Sequence, residues 1–287
     1  LLWEETDVLI GIGSRLEMQY MRWGNMNLYH DRPQSGPRVI RIDIDPKEMD
    51  RFKPDVGIIA DSAVGARFLA ERIASFASCS KDNLKRISQA KLESRKRISK
   101  IQPQMAYLDV IREVLPRDGY FVEEICQVGF TSYFGFPVYK PRTYVTSGFQ
   151  GTLGFGLPTA LGVKVAAPKK VVISVSGDGG FMYCMPELAT AVQHNIGVIT
   201  IVFNNNAFGN IRRDQLTQFD GRLIGADLVN PDFVKLADSF GVTPYRVRVP
   251  DELRPALSKA IDEDVPALIE VVCKRGSDAS PWKFIIG

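Results

Sequence analysis

Side chains that carry oxygen ligands follow two apolar runs in the stretch SGDGGFMYCMPELATAVQHNIGVITIVFNNN, residues 176–206. Asp178 comes directly after the first run, and three asparagines at residues 204–206 follow the second. A carboxylate and an amide carbonyl are hard oxygen ligands, and one carboxylate suits Mg²⁺, which takes its other ligands from water and phosphate oxygens. Three glycines leave backbone amides open to a ligand: Gly177, Gly179 and Gly180. The stretch therefore predicts a site for Mg²⁺ and a phosphate-bearing molecule.

The elements that position these residues form one strand–helix–strand unit. Residues 170–177 and 198–203 are continuous apolar runs, typical of strands buried on both faces of a parallel sheet. Pro186 and the apolar positions after it predict a helix between them. Both strands then run the same way, so Asp178 and the asparagines emerge at the carboxyl edge of the sheet, where open α/β sheets bind ligands. The 27 residues from Asp178 to Asn205 correspond to one such crossover.

Other phosphate and metal motifs do not fit. The chain has no Walker loop with its GK[ST] and no EF-hand spacing. A magnesium-dependent phosphate-ester hydrolase would need a second acidic cluster at the same edge, and we find no convincing one.

The composition favours a soluble globular protein with a cytoplasmic location. Hydrophobic residues make up 45% of the 287 residues, enough for a full core. No run of about 18 apolar residues is present, and acidic residues stand near the N-terminus where a signal peptide would carry basic ones. The net charge of +3 is due to residues 81–100, which contain eight basic and two acidic residues. We expect a solvated helical connector there rather than a nucleic-acid patch.

Cysteine and histidine do not suggest a site. The four cysteines are far apart and are expected to be thiols rather than disulfides or zinc ligands: Cys79, Cys126, Cys184 and Cys273. The two histidines, His30 and His194, have no neighbouring partner of a nucleophilic triad, so we expect structural or surface roles.

The alternation of strands and helices predicts an α/β fold in two parts. Residues 1–78 contain three short strand-like runs and a helix with Ser62 as its cap, too few strands for a complete doubly wound sheet. We interpret them as part of a Rossmann-like domain. Residues 79–102 are the basic helical connector, and residues 103–287 are predicted to form a complete domain with a mainly parallel sheet flanked by helices.

Several segments resemble one known family. GDGGFMYCMPELATAVQHNIGVITIVFNNNAFG resembles the diphosphate-binding motif of thiamine diphosphate enzymes, a GDG followed about 27 residues later by NN. TSGFQGTLGFGLPTALG is similar to the glycine-rich segment of the acetolactate synthase and pyruvate oxidase branch. IGSRLE, IRIDIDP and IIADSA resemble the second half of the middle domain of that branch. The resemblance implies that residues 1–78 are the C-terminal part of the middle domain and that residues 103–287 are the thiamine diphosphate-binding domain. It also implies that thiamine diphosphate and Mg²⁺ are the cofactors.

The resemblance also implies roles by position. Mg²⁺ would be held by Asp178, Asn205 and the main-chain carbonyl of Ala207. Leu153 would hold the cofactor in a bent shape, and the carbonyl of Gly151 would accept a hydrogen bond from its 4′-amino group, so these two are the expected catalytic residues. The expected cofactor contacts are Gln127, Gly151, Leu153, Gly177, Asp178, Gly179, Gly180, Asn205 and Phe208.

The implied activity is decarboxylation of a 2-oxo acid, with transfer of the acyl-carbanion equivalent to an acceptor left open. In the family, the activating glutamate belongs to a pyrimidine-binding domain, normally encoded upstream and contributed across a subunit interface, and nothing in this chain corresponds to it. We therefore expect this chain alone to be inactive, and the complete protein to be a homodimer or tetramer. The alternative is a non-catalytic cofactor-binding or assembly subunit that needs a separate pyrimidine-binding chain.

Three further points qualify the resemblance. Cys126 and Val128 stand where acetolactate synthases carry glycine and histidine. Asp43 and Asp61 match positions near an FAD adenine, but many relatives have lost that ligand, so FAD is not the favoured reading. The candidates for a substrate pocket are mostly aromatic, which fits either a hydrophobic 2-oxo acid or ordinary packing: Tyr133, Phe134, Phe149, Gln150 and Phe208.

Overall fold

The structure is a computed structural model that describes residues 2, 6–16, 37–51, 53–76, 81–148, 150–277 and 279–281. His30, Cys79 and Phe149 lie outside the described residues. The chain divides into two compact units, residues 1–94 and residues 95–285. Within the described residues, no helix combines the length and the apolar character needed to cross a bilayer.

The described part of the first unit contains a parallel sheet with the strand order β1-β2-β3. Val39 and Ile42 of the central strand are fully buried, and Gly65 of the helix that follows the third strand packs against Ile42. The elements are β1 (Val8–Ile12), β2 (Arg38–Asp43), α1 (Lys47–Arg51), β3 (Val56–Ile59) and α2 (Ser62–Ile73).

The cap of α2 differs from the sequence prediction. Asp61, and not Ser62, is the N-cap, because its Oδ1 accepts hydrogen bonds from the amides of Ala63 at 2.9 Å and Val64 at 3.4 Å. The Oδ1 of Asp43 accepts from the amide of Asp45 at 3.0 Å. Both aspartates considered for FAD therefore form local turn or cap hydrogen bonds.

The basic stretch forms the helix α3 (Lys81–Ile98). Most of its side chains are exposed, as expected for a solvated helix rich in charge. Arg95, near its end, belongs to the second unit and donates to the carbonyl of Gly135 at 3.0 Å. The predicted boundaries at residues 78 and 102 remain predictions.

The described residues of the second unit form a parallel sheet with the order β5-β4-β6-β7-β9-β8. The strands are β4 (Tyr120–Glu123), β5 (Tyr144–Thr146), β6 (Val172–Gly177), β7 (Ile199–Asn204), β8 (Thr243–Val247) and β9 (Ala267–Val272). The central strands β6 and β7 are buried on both faces, which explains their continuous apolar sequences.

Helices cover both faces of this sheet. One buried cluster joins it to α4 (Gln104–Val114), α5 (Gln127–Gly135) and α11 (Pro250–Glu263). The other joins it to α6 (Gly156–Ala166), α7 (Asp178–Phe181), α8 (Glu187–Gln193) and α10 (Phe233–Phe240). The remaining helix, α9 (Gly209–Gln218), has no buried residue.

The predicted strand–helix–strand unit is present between β6 and β7. Gly177 pairs with Phe203 in the parallel register, so the two strands end at the same level. The GDGG segment begins the one-turn helix α7 immediately after β6. Asp178 and the asparagine run therefore lie at one edge of the sheet.

Candidate functional site

Asp178 lies at the junction of β6 and α7 and is 2% exposed. Its Oδ2 accepts hydrogen bonds from the Asn230 side-chain amide at 2.7 Å and from the Ala207 amide at 3.2 Å. Burial raises the pKa of this carboxyl, while hydrogen bonds from Asn230 and from nearby backbone amides oppose the rise. No basic side chain of the described chain forms an ion pair with Asp178, so a bound cation would stabilise its ionised form.

The three asparagines after β7 make different contacts. Asn204 donates from Nδ2 to the buried Glu270 at 2.7 Å. Asn205 lines the cavity beside Asp178, and its Oδ1 accepts from the Ala207 amide at 3.1 Å. Asn206 has a left-handed backbone with φ of 55°, a conformation that asparagine tolerates better than most residues. The turn brings Ala207 back beside Asp178.

A cavity of about 280 Å³ opens at this edge of the sheet. All ten residues predicted to bind cofactor or metal line it: Gln127, Gly151, Leu153, Gly177, Asp178, Gly179, Gly180, Asn205, Ala207 and Phe208. Apolar side chains make up much of the remaining wall, including Ile125, Val128 and Phe203. The cavity therefore combines an oxygen-ligand set with largely apolar walls.

The substrate-pocket candidates are distributed differently. Phe208 lines the cavity, whereas Tyr133, Phe134 and Gln150 are not among the described residues that line it. The hydroxyl of Tyr133 instead donates to Glu123 at 2.9 Å. For Tyr133 the packing alternative is therefore the better interpretation.

Two glycines of the GDGG segment have no room for a side chain, because neighbouring residues fill the space beside them. A Cβ on Gly179 would overlap the ring of Phe208, and a Cβ on Gly180 would overlap the carboxylate of Glu124. Gly151 adopts a left-handed φ of 58°, which favours glycine on backbone grounds alone. These glycines thus set how closely the surrounding segments approach one another, besides exposing their amides.

Glu124, which the sequence analysis missed, lies beneath this segment with 0% exposure. Its Oε2 accepts from the Gly156 amide at 2.7 Å, and its Oε1 from the Gly154 amide at 3.1 Å. The Ser176 hydroxyl donates to the same carboxylate at 3.3 Å. Burial raises its pKa, and these three donors oppose the rise. Glu124 therefore ties the loop that carries Leu153 to the end of β6.

The N-terminus of α5 forms another wall. Cys126 caps it, since its Sγ accepts from the Gly129 amide at 3.2 Å, and burial raises the pKa of this thiol. Gln127 donates from Nε2 to Asn210 at 3.0 Å, and its buried Oε1 has no hydrogen-bond partner among the described residues. The N-terminus of a helix favours anions, because its first amides are unpaired and its dipole is positive there.

The remaining cysteines and histidine contribute no separate site. Cys126, Cys184 and Cys273 form no disulfide among the described residues. His194 is exposed at the end of α8. Among the described residues, no cluster of three or more histidine, cysteine or acidic side chains could hold a metal. The available set of one carboxylate and one amide carbonyl therefore fits Mg²⁺ with outside oxygen ligands better than a cation held by protein alone.

Sequence and structure comparisons identify relatives of the whole chain. The family model of the thiamine pyrophosphate enzyme C-terminal TPP-binding domain matches residues 125–271. A probable acetolactate synthase large subunit of Methanocaldococcus jannaschii is 34% identical over 93% of this chain and 46% of its own length. A probable 2-ketoarginine decarboxylase of Pseudomonas aeruginosa is 30% identical over 95% of this chain and 49% of its own length. The chain spans about half the length of these curated relatives.

A solved structure supports the same fold. The thiamine diphosphate-dependent 4-hydroxybenzoylformate decarboxylase of Rhodococcus jostii RHA1 superposes with a TM-score of 0.71 and 23% identity, covering 93% of this chain and 49% of that one. The α/β architecture with parallel sheets flanked by helices is therefore that of a thiamine diphosphate enzyme. Because the family model matches more than half of its residues, the chain belongs to the thiamine pyrophosphate enzymes that share this C-terminal TPP-binding domain, and its curated relatives include acetolactate synthase large subunits.

Proposed function

We propose that this chain carries the diphosphate- and Mg²⁺-binding half of an acetolactate synthase-like enzyme that decarboxylates a 2-oxo acid. The observation that carries the proposal is the convergence of Asp178, Asn205 and the glycine amides on one cavity. Transfer of the acyl group to an acceptor is the extension found in the acetolactate synthase branch. A cytoplasmic location and a homodimeric or tetrameric assembly belong to the same proposal.

The metal site is assigned to Asp178, Asn205 and the carbonyl of Ala207. The amide of Ala207 already bonds to both side chains, at 3.2 Å and 3.1 Å, so the three residues form one compact group. A cation offsets the cost of keeping a buried carboxylate ionised, since burial alone favours its protonated form. The residues present therefore fit Mg²⁺.

The diphosphate is assigned to the amides of Gly179 and Gly180 together with the N-terminus of α5. Gln127 lies at that N-terminus, and Asn210 orients its side chain. Backbone amides and a helix dipole bind anions without a buried basic side chain. The site is therefore suited to a phosphate ester whose remaining charge is balanced by Mg²⁺.

The reactive part of the cofactor is assigned to the region of Gly151 and Leu153. When bound, thiamine diphosphate supplies the electron sink for cleaving the bond between the carbonyl and carboxyl carbons of a 2-oxo acid. The carbonyl of Gly151 would accept a hydrogen bond from the aminopyrimidine and thereby hold its proton in place, and Leu153 would fix the bent shape of the cofactor. Apolar walls at Ile125 and Phe203 exclude water from this region. The chain thus contributes binding, orientation and dehydration.

Two measurements on the complete protein test this proposal. We expect thiamine diphosphate to bind in a Mg²⁺-dependent manner, measured by titration calorimetry, and at least one 2-oxo acid of a panel to release CO₂ when both cofactors are present. Asn205→Ala should abolish the Mg²⁺-dependent binding, because it removes an oxygen ligand.

Asn206→Gly is the matched control, since glycine keeps the left-handed turn while removing the neighbouring amide. Loss of cofactor binding in Asn206→Gly but not in Asn205→Ala would contradict the proposed register of metal ligands. Absence of CO₂ release from every 2-oxo acid tested would overturn the proposed activity.

A further inference from the structure

Asn230 reaches the metal site from a segment distant in sequence. Residues 226–228 run antiparallel to residues 206–208, with the Phe208 amide donating to Ala226 at 2.8 Å and the Leu228 amide donating to Asn206 at 2.9 Å. Ala207 and Asp227 form the β-bridge between the two segments. The segment that ends at Asn230 therefore fastens the turn that carries Ala207.

Both hydrogens of the Asn230 side-chain amide are used. Nδ2 donates to Oδ2 of Asp178 at 2.7 Å and to Oδ1 of Asn204 at 2.9 Å. These acceptors stand at the ends of neighbouring strands, β6 and β7. Asn230 does not line the cavity, whereas Asp178 does. It thus contacts the carboxylate without occupying the space of a ligand.

A buried chain of hydrogen bonds fixes which way the Asn230 amide points. Asn204 donates from Nδ2 to Oε1 of Glu270 at 2.7 Å, so only its oxygen is left to face Asn230. Glu270 is 3% exposed, and its Oε2 accepts from Nε of Arg246 at 2.6 Å. Because Glu270 is paired with a guanidinium, it acts as an acceptor. Asn230 must therefore present its nitrogen, and not its oxygen, to Asn204 and Asp178.

We propose that Asn230 is a positioning residue that holds Oδ2 of Asp178 and leaves Oδ1 as the oxygen that meets Mg²⁺. This inference rests on the proposed function and adds to it a residue outside the metal-ligand set. Because Asn230 and the Ala207 amide both hold Oδ2, the Asp178 carboxylate cannot rotate freely, so its other oxygen would have a restricted position before a metal binds. Outer-shell partners of this kind commonly change metal affinity by about 10–100-fold when they are removed.

The experiment compares the complete protein with its Asn230→Ala variant. Mg²⁺ is titrated by calorimetry in the presence of saturating thiamine diphosphate, and the melting temperature of each protein is measured without metal or cofactor. We expect the Kd for Mg²⁺ to rise about tenfold in Asn230→Ala and cofactor binding to recover at high Mg²⁺. Val229→Ala is the matched control, since Val229 is fully exposed in the same segment, and its Kd should equal that of the wild type.

The outcomes separate this inference from the proposed function. If the wild type shows no Mg²⁺-dependent cofactor binding, the proposed function fails and the inference fails with it. If the wild type binds but the Kd of Asn230→Ala stays within about twofold, the positioning role is wrong while the function stands. A purely structural role would lower the melting temperature and leave the Kd unchanged, which also overturns the inference.

A second variant guards against a folding defect in Asn230→Ala. Asn230→Ser keeps a single hydroxyl hydrogen on a shorter side chain, so it cannot make both hydrogen bonds. We expect its Kd to lie between those of the wild type and Asn230→Ala. A folded Asn230→Ser protein with the wild-type Kd would overturn the inference by itself.

Discussion

Neighbouring residues of the same type have different surroundings at the end of β7. Asn204 is held by Glu270 and Asn230, Asn205 lines the cavity, and Asn206 forms the left-handed turn. Each position therefore needs an amide side chain or a left-handed backbone for its own reason. A substitution at one of them tests one contact rather than the whole run.

Gly180 gives the sharpest prediction at the scale of a single residue. In Gly180→Ala, the added methyl would overlap the carboxylate of Glu124, which is itself fixed by the amides of Gly154 and Gly156. We expect the free energy of unfolding to fall by about 1–3 kcal/mol and the affinity for thiamine diphosphate to fall with it. Urea denaturation and cofactor titration of the complete protein measure the two effects.

Gly162→Ala is the matched control for this prediction. A Cβ at Gly162 meets no atom within 4 Å, and the residue lies inside the helix α6. Alanine there should raise stability by up to about 1 kcal/mol, because it is the better helix former. Equal destabilisation by the two substitutions would show that the overlap with Glu124 is not the cause.

Sequence spacing could find Asp178 and Asn205 but not their supporting residues. The 27-residue interval between those two corresponds to one crossover connection, so the spacing predicts that they lie at the same edge of the sheet. Glu124 accepts a hydrogen bond from Ser176, and Asn230 donates one to Asp178; the two residues of each pair are 52 positions apart in the sequence. The connections between them have no characteristic length, so no spacing rule predicts these contacts. The only local signal was the acidic pair at the end of the strand now seen as β4.

At the scale of elements, Glu123 links β4 to two neighbouring elements, α5 and β5. It ends β4, and its Oε1 accepts from the hydroxyls of Tyr133 on α5 and Thr146 on β5. Its Oε2 is buried without a hydrogen-bond partner among the described residues. Burial raises the pKa of this carboxyl, and the two hydroxyls oppose the rise. The ionised form therefore carries a desolvation cost on one oxygen.

Glu123→Gln should keep both hydrogen bonds, because Gln retains one acceptor oxygen in the position of Oε1. It should also replace the desolvation cost of a charge by the smaller cost of a buried, unpaired amide nitrogen. A carboxyl whose pKa is raised on folding stabilises the folded state at low pH and loses that contribution as the pH rises through the folded pKa. We therefore expect Glu123→Gln to melt about 2–4 °C higher than the wild type at pH 8. The difference should shrink as the pH falls below the folded pKa of Glu123 and should vanish below its unfolded pKa, where the carboxyl is protonated in both states.

Other ionisable groups lie close to Glu123 and determine which control this pH profile needs. They are Tyr133, Tyr144, Cys126 and Glu124, of which the first three have pKa values raised well above neutrality and the last is a second buried acid. Val229→Ala, which changes an exposed residue and no ionisable group, should give no pH-dependent difference in melting temperature. A parallel shift of the two variants at all pH values would contradict the assignment to Glu123.

Strands and helices could be predicted where their pattern of apolar residues extends over many positions. The strands β6 and β7 and their parallel order could be predicted, because short continuous apolar runs bounded by turn residues are typical of strands buried on both faces of a parallel sheet. The predicted N-cap of α2, Ser62, was wrong by one residue, because serine and aspartate both favour that position and Asp61 directly precedes Ser62. The segment of residues 226–230 was missed because its pairing with residues 206–208 is a loop contact without periodicity.

At the scale of the whole molecule, the proposed site lies in one of the two compact units. Among the described residues, all those that line the cavity fall within residues 95–285. Diphosphate and Mg²⁺ binding are therefore proposed for this unit. Activation of the pyrimidine ring is assigned to a glutamate on a pyrimidine-binding domain, which is the part of the proposal that reaches beyond this chain.

This division predicts separate binding and catalysis. The 287-residue chain, purified alone, should bind Mg²⁺ and thiamine diphosphate but release no CO₂ from any 2-oxo acid, because the activating glutamate is proposed to lie on the pyrimidine-binding domain. Adding the pyrimidine-binding domain of the complete protein should restore CO₂ release in proportion to the complex formed. The intact mass of the protein purified from its cell then decides the arrangement: 32.0 kDa indicates separate subunits, and about twice that mass indicates one polypeptide. CO₂ release by the isolated chain at the rate of the complete protein would instead place the activating group among its own residues.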